Sequence, residues 1–193
     1  ELGFPFSDPL ADGPVIQNAS TISLNRGIKL SDFFNLIKKI RKETEIPLVL
    51  MTYTNILFKQ GFDKFILNAK KSGIDGFILP DMSIEESREY LNAAKKYDTD
   101  TIFLVSPNTS KNRLKKIVKA TSGFLYLVSM FGTTGMKTKI KQYTMDAIKN
   151  TKRVVYSKIP VGIGFGVSNP DDVKKFASTD VDAVIVGSAF LRM

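Results

Sequence analysis

The sequence contains no cysteine and no histidine among its 193 residues. The absence of cysteine excludes disulfide bonds, thiolate-bound zinc and a thiol nucleophile. The absence of histidine excludes imidazole as a general acid or base, so proton transfer near neutral pH falls to carboxylates, tyrosine, lysine or water. A glutamate or aspartate with a raised pKa is therefore the leading candidate for such a step.

Long apolar runs are also missing. No stretch approaches the roughly 18 apolar residues of a membrane-spanning helix, and the first residues, Glu1–Pro5, lack the basic start of a secretory signal. With 43% hydrophobic and 24% charged residues, the composition is that of an ordinary globular protein. We therefore expect a soluble, cytoplasmic protein of one domain, without membrane contact.

Basic residues outnumber acidic ones, which gives a formal net charge of +9. The lysines and arginines are spread over helix-like segments and form no basic run with interleaved aromatic residues. We therefore expect solvated helix faces and no nucleic-acid binding. A general positive field would still favour the capture of an anionic substrate such as a phosphate ester.

Short apolar runs alternate with amphipathic segments along the chain, as in successive β-α units of a parallel sheet. The runs are nearly continuous, which is typical of strands covered on both faces. Periodicity alone does not separate a doubly wound open sheet from a closed barrel. The predicted strands are 47–53, 76–80, 101–106, 124–129, 161–164 and 183–186, and 1–3 is predicted to end a further strand.

Helix signals lie between these runs. Apolar side chains recur at helical spacing over residues 31–43 and again from Phe62. The segment from Ser83 to Glu86 has the spacing of a capping box, and Asn169 before Pro170 combines an N-cap candidate with a first-turn proline. Both predict a helix that begins soon after a strand.

Three carboxylates, on Glu1, Asp8 and Asp12, surround an N-terminal loop rich in proline and glycine. The loop follows a predicted strand, and barrel enzymes place their catalytic groups at the carboxyl ends of strands. Alternatively, Asp8 and Asp12 are turn residues beside Pro9 and Gly13, and Glu1 is solvated. Local chemistry leaves both interpretations open.

Two glycine features near the C-terminus predict an anion site. Gly164 and Gly166 lie at the end of one predicted strand and Gly187 follows the next, so backbone N–H groups could approach an anion without interference from a Cβ atom. Tight turns are the alternative explanation. The segment 131–139 has the composition of a flexible lid, or equally of an ordinary surface loop.

A long run of residues, 1–18, with the core Phe4 to Pro14, resembles the signature of the tryptophan synthase alpha chain family. The resemblance covers essentially the whole chain and implies a (β/α)8 TIM barrel of class α/β. It further implies that residues 1–193 form a single domain truncated at both ends, lacking the first strand and the C-terminal helix. The supporting motifs, in the family's order, are Met51–Asn55, Leu79–Asp81, Gly132–Gly135, Gly164–Gly166 and Gly187–Ser188.

The resemblance implies a lyase that cleaves indole-3-glycerol phosphate to indole and glyceraldehyde 3-phosphate by a retro-aldol reaction. In this family the glutamate at Glu1 protonates the indole ring carbon, and the aspartate at Asp12 accepts the indole N–H proton. Tyr126 is expected to lie against the substrate, and Thr134 to order against the aspartate when the lid closes. The implied phosphate ligands are Gly135, Gly166, Gly187 and Ser188.

A partner is implied as well, namely the tryptophan synthase beta chain, which carries pyridoxal phosphate and receives indole through a tunnel in an alpha2beta2 heterotetramer. Asp8, Pro9 and Asn55 resemble surfaces that face this partner. The resemblance implies no cofactor and no metal in the chain itself. The alternatives are a free-standing indole-3-glycerol phosphate lyase, a non-catalytic activator of a beta chain, and a phosphate-binding barrel with another reaction.

Overall fold

The computed structural model of the protein describes residues 1–129, 142–156, 158–164, 166–167 and 169–193. The chain forms two compact units, Glu1–Ile102 and Phe103–Met193. Within the described ranges, no helix is long and apolar enough to cross a membrane.

Unit 1 contains a parallel four-stranded sheet in the order β1-β2-β3-β4. In register, Leu2 lies opposite Leu50, Leu50 opposite Phe77, and Phe77 opposite Thr101. The strands are β1 (Leu2–Gly3), β2 (Val49–Met51), β3 (Gly76–Ile78) and β4 (Asp100–Ile102). The helices are α1 (Pro14–Asn25), α2 (Leu30–Glu43), α3 (Thr54–Gln60), α4 (Phe62–Ser72) and α5 (Arg88–Lys96).

The core of unit 1 includes apolar positions that the helical spacing predicted. Phe33, Phe34 and Ile37 form the buried side of α2, and Phe65 and Ile66 do the same for α4. The rings of Phe34 and Phe65 meet edge to face at 5.7 Å between centroids. Burial of these side chains stabilises the helices far more than intrinsic helix propensity would.

Unit 2 contains a second parallel four-stranded sheet, in the order β5-β6-β7-β8. Its central strands are apolar and fully covered, since Leu125, Leu127, Val161 and Ile163 have no exposed surface. The strands are β5 (Leu104–Val105), β6 (Leu125–Val128), β7 (Val161–Gly164) and β8 (Ala183–Val184). The helices are α6 (Lys111–Ala120), α7 (Gln142–Val155), α8 (Pro170–Ala177) and α9 (Ser188–Leu191).

The predicted strand 101–106 forms two short strands. Its first part, β4, pairs with β3, whereas its second part, β5, pairs with β6, and Phe103 lies between them. The sequence predicts one strand because the apolar run is continuous. A run of apolar residues carries no information about which neighbour each residue pairs with.

Helix starts were predicted with mixed success. Asn169 caps α8 as expected, because its side-chain oxygen accepts the N–H of Asp172 at 2.9 Å. The Ser83–Glu86 capping-box contact also forms, at 2.8 Å between the side chains, but α5 begins only at Arg88. The buried Ser87 hydroxyl donates to the Ile84 carbonyl at 2.8 Å, a local bond that competes with helical pairing.

An aspartate fixes the start of a neighbouring strand in each unit. In unit 1, Oδ2 of Asp75 accepts the Leu48 N–H at 2.8 Å and an Arg41 nitrogen at 2.6 Å. In unit 2, Oδ2 of Asp182 accepts the Val161 N–H at 2.7 Å and the Lys152 amine at 2.8 Å. Each carboxylate therefore joins a strand start to a cation on the preceding helix.

Candidate active site

The loop after β1 is anchored to the carboxyl end of β2. The Phe4 N–H donates to the Met51 carbonyl at 3.1 Å, and the buried Thr52 hydroxyl donates to the Phe4 carbonyl at 3.2 Å. Pro5 is buried beside them. These contacts hold the loop that carries Asp12 over the strand ends of unit 1.

Glu1 and Asp12 lie within electrostatic reach of each other. Burial of the carboxyl group raises the pKa of Glu1, and the charge of Asp12 raises it further. Although Glu1 as a residue is exposed, enough protein surrounds its carboxyl group to disfavour the ionised form. Two of the three carboxylates that the sequence singled out therefore influence each other in the structure.

Tyr53 holds the Asp12 segment from the end of β2. Its hydroxyl accepts the Ala11 N–H at 3.0 Å and interacts with the Asp12 side chain. Burial raises the pKa of Asp12, while the interaction with the Tyr53 hydroxyl lowers it. Burial also raises the pKa of Tyr53, to about 12, so the phenol stays protonated and favours the ionised form of the carboxylate.

The Tyr53 ring is fixed by its surroundings. Only 4% of the residue is exposed, and the ring stacks on Phe6 with 5.2 Å between centroids. Tyr53 belongs to the motif Met51–Asn55, but the sequence alone did not predict a role for it. Its place directly after β2, where catalytic groups of barrels lie, is the signal that could have identified it.

The residues expected to face a partner differ in exposure. Asp8 and Asn55 are exposed, and Pro9 is half-buried. Asp8 accepts a 2.6 Å hydrogen bond from the neighbouring Ser7 hydroxyl. Leu10, in the same loop, is 84% exposed and adds apolar surface beside Pro9.

In unit 2, Tyr126 lies on β6 with its ring across β7. It is buried, and a Cβ atom built on Gly164 would lie 2.7 and 2.8 Å from its ring atoms Cζ and Cε1, and closer still to the hydroxyl. The last residue of β7 is therefore a glycine, because a side chain at this position would overlap the tyrosine ring. From the sequence, this glycine was interpreted as part of an anion-binding feature or of a tight turn, and the anion site stays a prediction.

The described phosphate candidates follow β7 and β8. Gly166 is exposed and has a φ of +80°, a left-handed conformation that favours glycine. Gly187 is exposed with no atom within 4 Å of an added Cβ, and Ser188 begins the short helix α9. Thr134 and Gly135, with the whole segment predicted as a lid, lie outside the described residues.

The described part of the chain holds no group of three or more acidic, histidine or cysteine side chains that could bind a metal ion. The chemistry available in unit 1 is proton transfer by two carboxyl groups in different environments. Glu1 is influenced by a neighbouring negative charge, whereas Asp12 is held by a phenol. Such a pair can divide the tasks of acid and base.

Comparison with known proteins matches this chain to one family over its full length. The family model for the tryptophan synthase alpha chain matches residues 1–193. The chain is 42% identical over 193 residues to the tryptophan synthase alpha chain of Pyrococcus abyssi, covering 100% of this chain and 77% of that one. It is 44% identical over 194 residues to that of Methanocaldococcus jannaschii, covering 100% and 68%.

Solved structures agree. The alpha2beta2 tryptophan synthase complex of Pyrococcus furiosus contains a chain that superposes with a TM-score of 0.91 at 38% identity, over 98% of this chain and 76% of that one. The isolated A-subunit from the same organism gives a TM-score of 0.90 at 37% identity, with the same coverage. The fold class is thus the (β/α)8 TIM barrel, as expected. The chain belongs to the tryptophan synthase alpha chain family.

Proposed function

We propose that this chain is the alpha subunit of tryptophan synthase, a lyase subunit that cleaves indole-3-glycerol phosphate to indole and glyceraldehyde 3-phosphate. The observation that carries the proposal is the pairing of Glu1 and Asp12 in a chain of this family, both with a raised carboxyl pKa. No imidazole competes for the proton transfers, because the sequence has no histidine.

The reaction requires four proton transfers, which leave no net change in the protonation of the protein. Glu1 gives a proton to the indole ring carbon, and Asp12 accepts the ring N–H proton, which leaves an indolenine. A base then removes the proton of the glycerol hydroxyl group beside that carbon. The carbon–carbon bond breaks, its electron pair enters the ring, the hydroxyl carbon becomes an aldehyde, and the ring nitrogen regains its proton.

The environments of the two carboxyl groups suit these roles. A raised pKa keeps more of Glu1 protonated near neutral pH, as an acid requires. Asp12 must be ionised to accept a proton, and the Tyr53 hydroxyl favours that form. Once it has protonated the ring carbon, the ionised Glu1 can also act as the base that removes the hydroxyl proton and so allows the carbon–carbon bond to break.

The remaining assignments are part of the same proposal. Tyr126 contacts the substrate, and the phosphate binds at Gly135, Gly166, Gly187 and Ser188, with Thr134 ordering against Asp12 on closure. The left-handed Gly166 and the unobstructed Gly187 are compatible with backbone N–H groups that approach an anion.

Indole passes to the beta subunit in an alpha2beta2 assembly, in line with the related complex from Pyrococcus furiosus. We propose that pyridoxal phosphate belongs to the beta chain, that the alpha chain needs no cofactor, and that the enzyme works in the cytoplasm. Asp8, Pro9 and Asn55 are proposed to face the partner, since two of them are exposed and the third adjoins the exposed Leu10.

One assay separates these functions. Indole release from indole-3-glycerol phosphate is measured with the complete alpha subunit, with and without a beta chain. We expect slow release alone and faster release with the partner. Equal rates together with no pull-down of the beta chain would instead indicate a free-standing lyase. No release in either case, with activation of the beta chain retained, would indicate a non-catalytic activator.

A further inference from the structure

Asp81 lies against the first residue of α3. Its Oδ1 accepts the Thr54 N–H at 2.9 Å and the Thr54 hydroxyl at 2.8 Å, and its Oδ2 lies 3.2 Å from the same N–H. The first N–H groups of a helix have no partner within the helix. The carboxylate of Asp81 therefore caps α3 from a different segment of the chain.

The residue before the helix cannot supply this cap. Tyr53 occupies the N-cap position of α3 and makes no side-chain capping bond. Its hydroxyl is instead committed to Ala11 and Asp12. Tyr53 is thus held at two points, by its hydroxyl at the Asp12 segment and by its backbone at the start of α3, which Asp81 fixes.

Asp81 is itself well anchored. It follows β3, the neighbour of β2 in the sheet, and the two strands stay paired to their ends because the Thr52 N–H donates to the Ile78 carbonyl at 3.2 Å. Leu79 is buried, and its carbonyl accepts the Met82 N–H at 3.1 Å in a turn around Asp81. The carboxylate therefore reaches Thr54 from a fixed position.

We propose that Asp81 is a positioning residue for Asp12: by capping α3 at Thr54, it fixes the tyrosine whose hydroxyl orients the catalytic aspartate. The inference rests on the proposed function only in that Asp12 takes part in the reaction. Misplacement of a reacting group by a fraction of an ångström slows catalysis, so loss of the cap lowers turnover although Asp81 does not touch the substrate.

A helix cap also stabilises the fold, so the test needs signals that stability alone would not change. The first is hydrogen exchange of the Ala11 amide, measured by NMR, because this N–H donates to the Tyr53 hydroxyl. The second is the separation of kcat from KM for indole formation. A positioning defect lowers kcat, with much less effect on KM.

Conservative and disruptive variants make matched pairs. Asp81→Asn keeps the oxygen that receives both short bonds, so Ala11 protection and kcat should stay near those of the unchanged protein. Asp81→Ala should speed Ala11 exchange and lower kcat by roughly tenfold or more. Thr54→Val loses one bond and should show a smaller effect in the same direction, whereas Thr54→Ser should not.

Asp63→Ala is the control. Asp63 is an exposed carboxylate at the start of α4 that accepts bonds from Lys96 at 2.9 Å and from the Tyr97 hydroxyl at 2.6 Å. Its loss removes a comparable set of hydrogen bonds in the same unit without touching the Tyr53 contacts. Ala11 exchange and kcat should therefore be unchanged.

The outcomes are distinct. Ala11 exchange in Asp81→Ala equal to that of Asp63→Ala overturns the proposal, and so does faster exchange with an unchanged kcat. If Asp81→Ala does not fold, Thr54→Val against Thr54→Ser decides by the same two signals. If the unchanged protein releases no indole, the proposed function fails, while Ala11 exchange still shows whether Asp81 fixes Tyr53.

Discussion

The hydroxyl group of Tyr126 lies in the space that a side chain on Gly164 would occupy. The two residues belong to neighbouring parallel strands, and the tyrosine is 4% exposed, so neither can move away without disturbing the sheet. The glycine at the end of β7 therefore sets the position of a tyrosine that is proposed to contact the substrate. A substitution at either position should therefore alter the packing of the other residue.

Gly164→Ala should lower the free energy of unfolding by about 1 to 3 kcal/mol, the usual cost of overpacking, and should lower kcat/KM. Adding Tyr126→Leu should restore part of the stability, because the smaller side chain leaves room for the methyl group. Urea unfolding of both single variants and the double variant measures this coupling. Gly3→Ala, where an added Cβ meets no atom within 4 Å, is the control; equal losses in Gly164→Ala and Gly3→Ala would contradict the argument.

Tyr53→Phe should lower kcat by roughly tenfold or more, since it removes the hydroxyl group that holds the Ala11 N–H and interacts with the Asp12 side chain. The Tyr53 hydroxyl lowers the pKa of Asp12, so its removal should raise that pKa further. As the pH is lowered, the variant should then lose the activity that requires ionised Asp12 at a higher pH than the unchanged protein does. The pH profile of kcat checks this, and an unshifted acid limb would count against the assignment.

Much of the fold follows from the sequence, because continuous apolar runs mark the strands and 3.6-residue spacing marks α2 and α4. The roles of Glu1 and Asp12 follow only from the resemblance to the family, because the residues of the loop alone leave a catalytic site and an ordinary turn both open. The contacts of Tyr53 and Asp81 do not follow from the sequence. They join residues 42 and 27 positions apart, and they depend on which strands are neighbours and in what register.

Glu1→Gln and Asp12→Asn should each lower turnover by at least about a hundredfold, the scale of a positioned acid or base. Both should also make the protein more stable at neutral pH. Burial raises the pKa of each carboxyl group, so ionising it costs folding free energy, and the neutral amide avoids that cost. The gain should vanish as pH falls through the raised pKa values and below, where the carboxyl groups are protonated.

Thermal unfolding across pH measures that gain, and indole release measures turnover. Asp32→Asn serves as the control for both, because Asp32 is exposed on α2, where its carboxylate accepts the Lys29 N–H and not a bond from the loop residues. Near-normal turnover in Glu1→Gln would falsify the proposed mechanism, since no histidine is present to replace the acid.

Gly187→Val should weaken substrate binding and raise KM by roughly tenfold or more, about 1.4 kcal/mol, because a branched side chain would block the approach of the phosphate to the backbone. Stability should hardly change, since an added Cβ at Gly187 meets no protein atom within 4 Å. Titration with glycerol phosphate, followed by NMR, measures the affinity of the folded protein for the phosphate and so separates a loss of binding from a loss of stability. Unchanged affinity would remove Gly187 from the phosphate site.

Asp182→Asn should destabilise the protein by about 1 kcal/mol at neutral pH, a value kept low because the carboxylate is partly exposed to solvent. Burial raises the pKa of Asp182, but the Lys152 and Val161 hydrogen bonds outweigh it, so the net pKa is lowered. A carboxyl group with a lowered pKa stabilises the fold above its unfolded pKa and loses that effect as pH falls through the folded value.

The difference between Asp182→Asn and the unchanged protein should therefore shrink in acid. Urea unfolding at neutral and acid pH measures it. Asp171→Asn is the matched control, because Asp171 is 79% exposed and its contact with Lys174 is long, at 3.9 Å. That change should cost less than about 0.5 kcal/mol at either pH. Equal losses for the two variants would mean that the bond from Asp182 to the first residue of β7 contributes nothing beyond surface charge.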